Sequence, residues 1–496
     1  MANPLQRLLG QTAIYGLPTI VGRLLNFFLV PLYTWKFAET SDYGVLSHLY
    51  AYVAFLMVFL TFGMETAFFK FLNDRNDKQE TFQNSFLTVL GLNTIFLLVI
   101  LLFSPSLADA MGYASNVEFI VILGLVVVTD AAAAIPLAKL RAENKAGKFA
   151  IIQSASIVTN IVLNLFIMFV LFNPEEPMEA IFFILLANLV ASLVKVVGTY
   201  KDFLTIRLTY NAQLAKDMIR YSFPLMIGGL AGIANETLDR AIMRPVMEYS
   251  GSTSKEALSQ LGIYSACYKL SIIVTILLQA YRYAAEPFFF SRAKEENANK
   301  LFAKIMNYFV AFLCIVFLGI TLNIDTFKYF IPNEDYWVGL DVVPILLLAN
   351  IFLGIYLNQS VWYKLSDQTR FGAYIAMGGA VLTIAINVIF IPLYGFRASA
   401  WATLIVYASQ MVASYFLGQK YYPIRYNLRK FFLYLLLGLA LFAIAWLSNV
   451  NPDRFTWRKF AFQNSLILFY GFVVWFIERP SSTPPKQKET TQRSTE

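Results

Sequence analysis

The chain is short of charge, of histidine and of cysteine. Only 14% of its 496 residues are Asp, Glu, Lys or Arg, against about 25% in ordinary soluble domains, so it lacks the polar surface that a soluble fold of this length needs. Its one histidine, His48, reads as a structural residue. The two cysteines, Cys267 and Cys314, lie inside apolar runs, which excludes a disulfide framework and a zinc site. No G-x-x-x-x-G-K-[ST] loop occurs, since Gly147-Lys148 is followed by Phe149, and no H-E-x-x-H occurs either. Direct ATP drive within the chain is therefore not expected, nor is any cofactor, and substrate gradients, ions or the membrane potential are expected to supply energy. The first apolar run lacks a small-residue cleavage site and reads as a retained span.

What is abundant is apolar: 58% of residues are hydrophobic and 16% aromatic, with a mean hydropathy of +0.58. A membrane span needs about 20 apolar residues. Fourteen such runs are expected, near 10-35, 44-70, 82-104, 116-138, 149-172, 178-199, 217-241, 259-284, 303-324, 339-361, 371-392, 397-418, 430-448 and 459-477. The expected fold is an all-α integral membrane protein. The net charge of +8 does not point to nucleic acid, because the basic residues fall between apolar runs and not on one solvated face. With the N-terminus inside, 28 Lys and Arg fall on inward segments and 9 on outward ones, while Arg23 and Lys269 lie within spans. The positive-inside rule then places both termini in the cytoplasm.

The two halves resemble one another. NPLQRLLGQTAIYGLP, Asn3 to Pro18, parallels NAQLAKDMIRYSFP, Asn211 to Pro224. PLAKLRAENKAGKF, Pro136 to Phe149, parallels VWYKLSDQTRF, Val361 to Phe371, and each precedes a span with an asparagine in its outer half, Asn164 and Asn387. NLVAS, Asn188 to Ser192, parallels QMVAS, Gln410 to Ser414. A duplication of six spans gives an N-lobe at 1-200, a cytoplasmic linker at 201-216 and a C-lobe at 217-418. Two added spans at 419-478 and a polar, disordered tail at 479-496 follow. Six is even, so the copies enter the membrane in the same sense, and a transport path is expected at the repeat interface.

Polar residues fall on particular helix faces. At 100° per residue, Tyr264, Tyr268, Ser271, Thr275, Gln279, Arg282 and Glu286 lie within about 40° of one direction in span 8. In span 1, Gln11, Tyr15, Thr19, Arg23 and Asn26 share a sector of about 120°. Span 5 aligns Gln153, Asn160 and Asn164, and span 7 carries Asn235, Glu236, Asp239 and Arg240. A charge facing lipid costs about 2.5 to 3.5 kcal/mol, so these stripes should face a polar cleft. Structural alternatives stand beside that reading. Arg23 can snorkel or pair with Glu65 or Asp130, Glu236 with Arg240 and Arg282 with Glu286 can be plain helix pairs, and Asp130 with Pro136 can mark a kink. Lys269 points about 120° away from the span-8 stripe, which weakens it as a cleft residue.

The 6+6+2 pattern, the arginine in span 1, QTAIYGLPTIVGRLLNFFLVPLYT (Gln11 to Thr34) and YGVLSHLYAYVAFLMVFLTFGMETAFFKF (Tyr43 to Phe71) resemble the polysaccharide-exporting branch of the multidrug/oligosaccharidyl-lipid/polysaccharide flippase superfamily. The resemblance implies two lobes, alternating access, a bacterial inner-membrane location and a cargo of undecaprenyl-diphosphate-linked sugar, with no enzymatic step. The fatty tail is expected to stay in lipid, along spans 13 and 14. Arginine suits a diphosphate because it offers paired donors and keeps its charge. Arg23, Arg282, Arg240 and Lys269 are accordingly the candidates for the diphosphate, and Tyr15, Tyr264, Tyr268 and Gln279 for sugar. Glu65, Asp130, Glu236, Asp239 and Glu286 are candidates for ion coupling. A monomer working beside glycosyltransferases or a polymerase is expected. The rivals are an H⁺- or Na⁺-driven drug or metabolite exporter of the same superfamily, and a membrane glycosyltransferase or sugar polymerase, which would need a larger external loop than this chain has.

Overall fold

A computed structural model describes residues 4-74, 77-207, 209-293, 295-448 and 456-479, with side chains from Ile20 onward apart from Pro287. Among the described residues the chain is helical and has no strand. In order the helices are α1 (Pro4–Lys36), α2 (Thr40–Thr61), α3 (Met64–Asp74), α4 (Lys78–Ala110), α5 (Val117–Ala142), α6 (Ala146–Phe166), α7 (Pro177–Gly198), the short α8 (Tyr200–Leu204), and α9 (Ala212–Tyr249). Then come α10 (Ser254–Arg292), α11 (Ala298–Thr321), the short α12 (Ile324–Phe327), α13 (Val342–Gln359), α14 (Val361–Leu365), α15 (Arg370–Tyr394), α16 (Phe396–Tyr421), α17 (Leu428–Leu447) and α18 (Trp457–Glu478).

Twelve helical segments among the described residues are long and apolar enough to cross a membrane. The other two expected spans coincide with α1 and α9. Helix α9 is long but carries Glu236, Asp239, Arg240, Arg244 and Glu248 along its second half. Span 2 was expected as one run and is two helices. Phe62 (φ 53°) and Gly63 (φ 64°) are both left-handed and break it. A side chain at Gly63 would press on the Ser222 carbonyl at 3.1 Å, so the break lets the chain pass close against α9.

Contacts divide the chain into two compact units, Met1–Met306 with Thr326–Tyr426, and Asn307–Asp325 with Asn427–Glu496. In the second, Lys430 and the Tyr434 hydroxyl hold the Glu478 carboxylate at 2.7 and 2.6 Å, Asn464 donates to Asn323, and Lys459 pairs with Asp325. The first unit holds α1 to α10 and α13 to α16, where α2 packs on α9 and α10, α15 on α9, and α13 on α16.

The paralleled segments share local features. The turn within each paralleled segment carries one left-handed residue, Asn144 (φ 57°) and Asp367 (φ 55°). The paralleled asparagines Asn164 and Asn387 are both fully buried, and each donates its amide one turn back along its helix, to the Asn160 and Thr383 carbonyls. Buried amides that satisfy themselves within their own helix avoid the cost of an unpaired polar group in an apolar interior.

Candidate functional site

Residues from both halves of the chain contribute to one cavity of about 500 Å³ inside the first unit. The first half supplies Asn26, Tyr33, Tyr43, Tyr50, Asp130, Gln153, Asn160, Asn188 and Lys195 to its wall. The second supplies Thr237 and Arg240 from α9, and Ser265 and Lys269 from α10. Its size is that of an ordinary small-molecule site.

The polar groups of the first-half wall are chained together. The Tyr33 hydroxyl donates to Asn164 Oδ1 at 2.6 Å, and Asn164 donates on to Asn160. Asn160 Nδ2 donates to Asn188 Oδ1 at 2.7 Å, and Asn188 Nδ2 to the Tyr50 hydroxyl at 2.5 Å. The chain fixes these side chains and leaves the Tyr50 hydroxyl proton free to donate, so the wall presents oriented hydroxyl and amide groups.

The charges are almost balanced. Lys195 Nζ lies 2.8 Å from Asp130 Oδ1, which ties α7 to α5. Arg240 Nε lies 3.6 Å from Asp239, its guanidinium stacks 4.5 Å over the Tyr268 ring, and it also reaches the Glu236 carbonyl one turn back. Lys269 makes no ion pair or hydrogen bond among the described residues and stands within electrostatic reach of Glu236 and Arg240.

The sequence-predicted residues are distributed as follows. Arg240, Lys269 and Asp130 line the cavity. Arg23 does not line it, but it precedes Asn26, Val30 and Tyr33 on the same face of α1, within about 80° of each. Its side chain is exposed and has no ion pair among the described residues. The carboxylates expected as pairing partners of Arg23 are held elsewhere, Glu65 by Arg141 at 2.6 Å and Asp130 by Lys195. Tyr264 and Tyr268 are buried away from the cavity. The Tyr264 hydroxyl donates to Asp239 Oδ2 at 2.6 Å, so the upper span-8 stripe packs on α9, and Lys269, on another face, takes the place in the wall. Gln279 is half-buried, with its Oε1 unpaired among the described residues. Arg282 is exposed, 3.5 Å from Glu286, whose closer partner is Lys364 at 2.5 Å. Glu236 is exposed and makes no ion pair among the described residues, while Asp239 is buried between Arg240 and Tyr264. The side chains of Gln11, Tyr15 and Thr19 lie outside the described residues. Pro136 sits inside the continuous helix α5.

Near the α1–α2 turn, α2 and α10 meet directly. A Cβ at Gly44 would stand 1.9 Å from the Leu258 carbonyl oxygen, and one at Gly262 would stand 1.9 Å from the Thr40 carbonyl oxygen. The two glycines thus let α2 and α10 meet backbone to backbone, as small residues do between membrane helices. Thr40 and Ser259 hydroxyls lie 2.6 Å apart beside them, and Lys255 Nζ donates to Glu39 at 2.8 Å. That lysine holds the Glu39 carboxyl below the ordinary glutamate range. Asn333 Nδ2 reaches the Ala38 carbonyl at 3.3 Å, and Phe330 stacks on Phe27 at 4.2 Å. Nearby, His48 Nε2 lies 3.2 Å from the Ala241 carbonyl, which can only accept, so Nε2 carries the proton and Nδ1 accepts from the Tyr113 hydroxyl at 2.9 Å. The single histidine therefore links α2 to Tyr113 and to α9.

A family model described as "Polysaccharide biosynthesis protein" matches residues 37–323, more than half of the chain. The chain belongs to that family. No curated protein matches this member. Its fold is similar to that of "Lipid II flippase MurJ, inward closed conformation", with a TM-score of 0.70 at 15% identity, over 93% of this chain and 99% of that one. It is also similar to an inward-facing multidrug resistance MATE family transporter of the MOP superfamily, with a TM-score of 0.60 at 13% identity, over 81% and 97%. An outward-facing conformation of a MATE family transporter gives 0.56 at 15% identity, over 83% and 95%. The family member is thus a multi-pass membrane protein whose fold is similar to that of these flippases and transporters.

Sequence periodicity missed Lys195, Tyr33, Tyr43, Tyr50 and Asn188 as wall residues. Lys195 lies in the last turn of α7 and reads, in sequence, as a positive-inside anchor. Its pairing with a carboxylate 65 residues away leaves no local signal.

Proposed function

We propose that this polysaccharide biosynthesis protein is a flippase that carries an undecaprenyl-diphosphate-linked oligosaccharide from the cytoplasmic to the outer leaflet of a bacterial inner membrane. It works by alternating access of two lobes, residues 1-200 and 217-418, in a chain of fourteen spans with both termini in the cytoplasm. The closed end at Gly44 and Gly262 then faces outward, and the cavity loads from the cytoplasm. The observation that carries the reading is a cavity lined from both halves of the chain by oriented tyrosines and amides, with cations in excess over carboxylates. A sugar offers hydroxyls to such a wall, and a diphosphate needs permanent positive charge.

Arg23, exposed on the wall-facing side of α1, and Arg282, exposed beyond the cavity on α10, would draw in the diphosphate, while Arg240 and Lys269 act inside. Gln153, Asn160, Asn188 and Tyr50 take over the sugar contacts that Tyr264 and Tyr268, both buried against α9, cannot make. Glu65, Asp130, Asp239 and Glu286 already face a cation, which leaves Glu236 the freest carboxylate for ion coupling. Glycosyltransferases or a polymerase of the same pathway would supply and consume the cargo. The test is export of lipid-linked sugar in cells carrying Arg23→Ala at wild-type abundance. The reading expects a loss of at least tenfold. Export at the wild-type rate, or dye sensitivity in a deletion strain without any glycan defect, would instead favour a drug exporter.

A further inference from the structure

The chain has one histidine, the side chain that ordinarily changes charge between pH 5 and 8, and it stands where the two halves of the chain meet outside the cavity. His48 of α2 is 1% exposed, donates to the Ala241 carbonyl of α9 and accepts from Tyr113 in the turn between α4 and α5. The same Tyr113 ring carries the Arg244 guanidinium of α9, stacked 4.7 Å from its centre. Arg244 is itself buried, and donates to the Gly112 carbonyl at 3.0 Å, to the Ser254 hydroxyl of α10 at 2.7 Å and to Glu248 at 2.8 Å. Its Nη1 has no partner among the described residues. A Cβ at Gly112 would stand 2.0 Å from Arg244 Nη2, so the α4–α5 turn and α9 meet without a gap. The groups that face His48 are Tyr52 on its own helix, Tyr113, and from α9 Arg244 and Glu248, both within electrostatic reach. Lys255 of α10 is held by Glu39, and Glu118 of α5 is exposed beside Asn116.

We infer that His48 is a proton-binding switch: neutral, it joins the α4–α5 turn to α9, and protonated, it parts them. Hydrogen bonding alone does not decide this, because the Tyr113 hydroxyl can turn and accept from a protonated Nδ1. Charge decides it. An imidazolium at this place would share one tyrosine with the Arg244 guanidinium, and Glu248, the carboxylate that already pairs with Arg244, would have to answer both. A buried cation without its own counter-ion is costly, whereas water solvates it once the turn and α9 have separated. Acid therefore favours the parted junction. The inference goes beyond the flippase reading, since it concerns the junction and holds for any cargo.

The test uses the full chain in lipid nanodiscs with spin labels on Ser115→Cys, in the α4–α5 turn, and Tyr249→Cys, at the end of α9, both exposed positions. Cys267 and Cys314 are buried and stay unlabelled. Electron–electron distance measurements then give the populations of the joined and parted junction, with a label that does not titrate. The ratio of short-distance to long-distance population should fall about tenfold from pH 7.5 to 5.5, the change expected of one proton that binds the parted form near pH 6.5. His48→Gln, whose amide can make both bonds without titrating, should hold the ratio constant. Arg244→Gln removes the second cation and should shrink the acid response to about threefold or less. An unchanged ratio in the otherwise wild-type protein overturns the inference. So does a tenfold fall that persists in His48→Gln, which would place the titrating group elsewhere, or one undiminished in Arg244→Gln, which would remove the charge conflict from the switch.

Discussion

Gly44→Ala probes the contact that closes one end of the cavity. The added Cβ would lie 1.9 Å from the Leu258 carbonyl oxygen, whereas ordinary van der Waals contact begins near 3.4 Å. Backbone meets backbone there, so no rotamer relieves the clash, and α2 must move from α10 by the difference, about 1.5 Å. The Thr40 to Ser259 hydroxyl contact of 2.6 Å then opens to about 4 Å, beyond hydrogen-bond range. Overpacking of this kind costs about 1 to 3 kcal/mol, which lowers the population of the closed form about 5- to 150-fold. The assay is the rate of oxidative cross-linking between Thr40→Cys and Ser259→Cys in membranes. Gly44→Ala should slow it at least fivefold, while Gly91→Ala, where nothing lies within 4 Å, should leave it unchanged. An unchanged rate in Gly44→Ala, with the protein present at normal abundance, would refute the idea that these glycines hold the lobes closed.

Other substitutions test the walls. Lys195→Met strands the Asp130 carboxylate; with each partner 22% exposed, the loss should fall between surface and buried pairs, about 1 to 3 kcal/mol. Thermal unfolding in detergent should show that loss, and the double variant Asp130→Asn/Lys195→Met should recover most of it. Tyr33→Phe removes the 2.6 Å bond to Asn164 and should cost about 1 kcal/mol in the same measurement. The Glu39 carboxyl is held below its ordinary value by Lys255, so its contribution is fully present above pH 4.5 and is lost as pH falls further. The Thr40→Cys to Ser259→Cys cross-linking rate, divided at each pH by the rate of the same pair carrying Glu39→Gln so that the thiols' own titration cancels, should stay level from pH 8 to about 5.5 and drop only in stronger acid.

Much of the fold was legible because apolar length and spacing are local properties. Each of the fourteen expected runs corresponds to a helical segment, and the paralleled asparagines Asn164 and Asn387 are buried alike. The break at Phe62 and Gly63 was not legible, because a phenylalanine in a left-handed conformation follows from the approach of α9 and not from its own preference. The site was legible in residue type more than in place. Helical angles aligned the span-8 stripe correctly, yet periodicity does not say which face meets a neighbouring helix. Tyr264 and Tyr268 turned to α9, and Lys269 turned to the cavity. Lys195 and Asp130 show the same limit, since their pairing depends on the packing of α5 against α7.

The central claim, that this cavity carries a lipid-linked sugar across the membrane, is tested most directly in proteoliposomes containing the purified chain and a polyprenyl-diphosphate oligosaccharide with a fluorescent label on its sugar. The fraction of label quenched by a membrane-impermeant reductant reports movement between leaflets. The account predicts that the protected pool drains faster than in empty liposomes, and that Arg23→Ala abolishes the gain. Drainage at the rate of empty liposomes, from a preparation that moves a cationic dye, would contradict it.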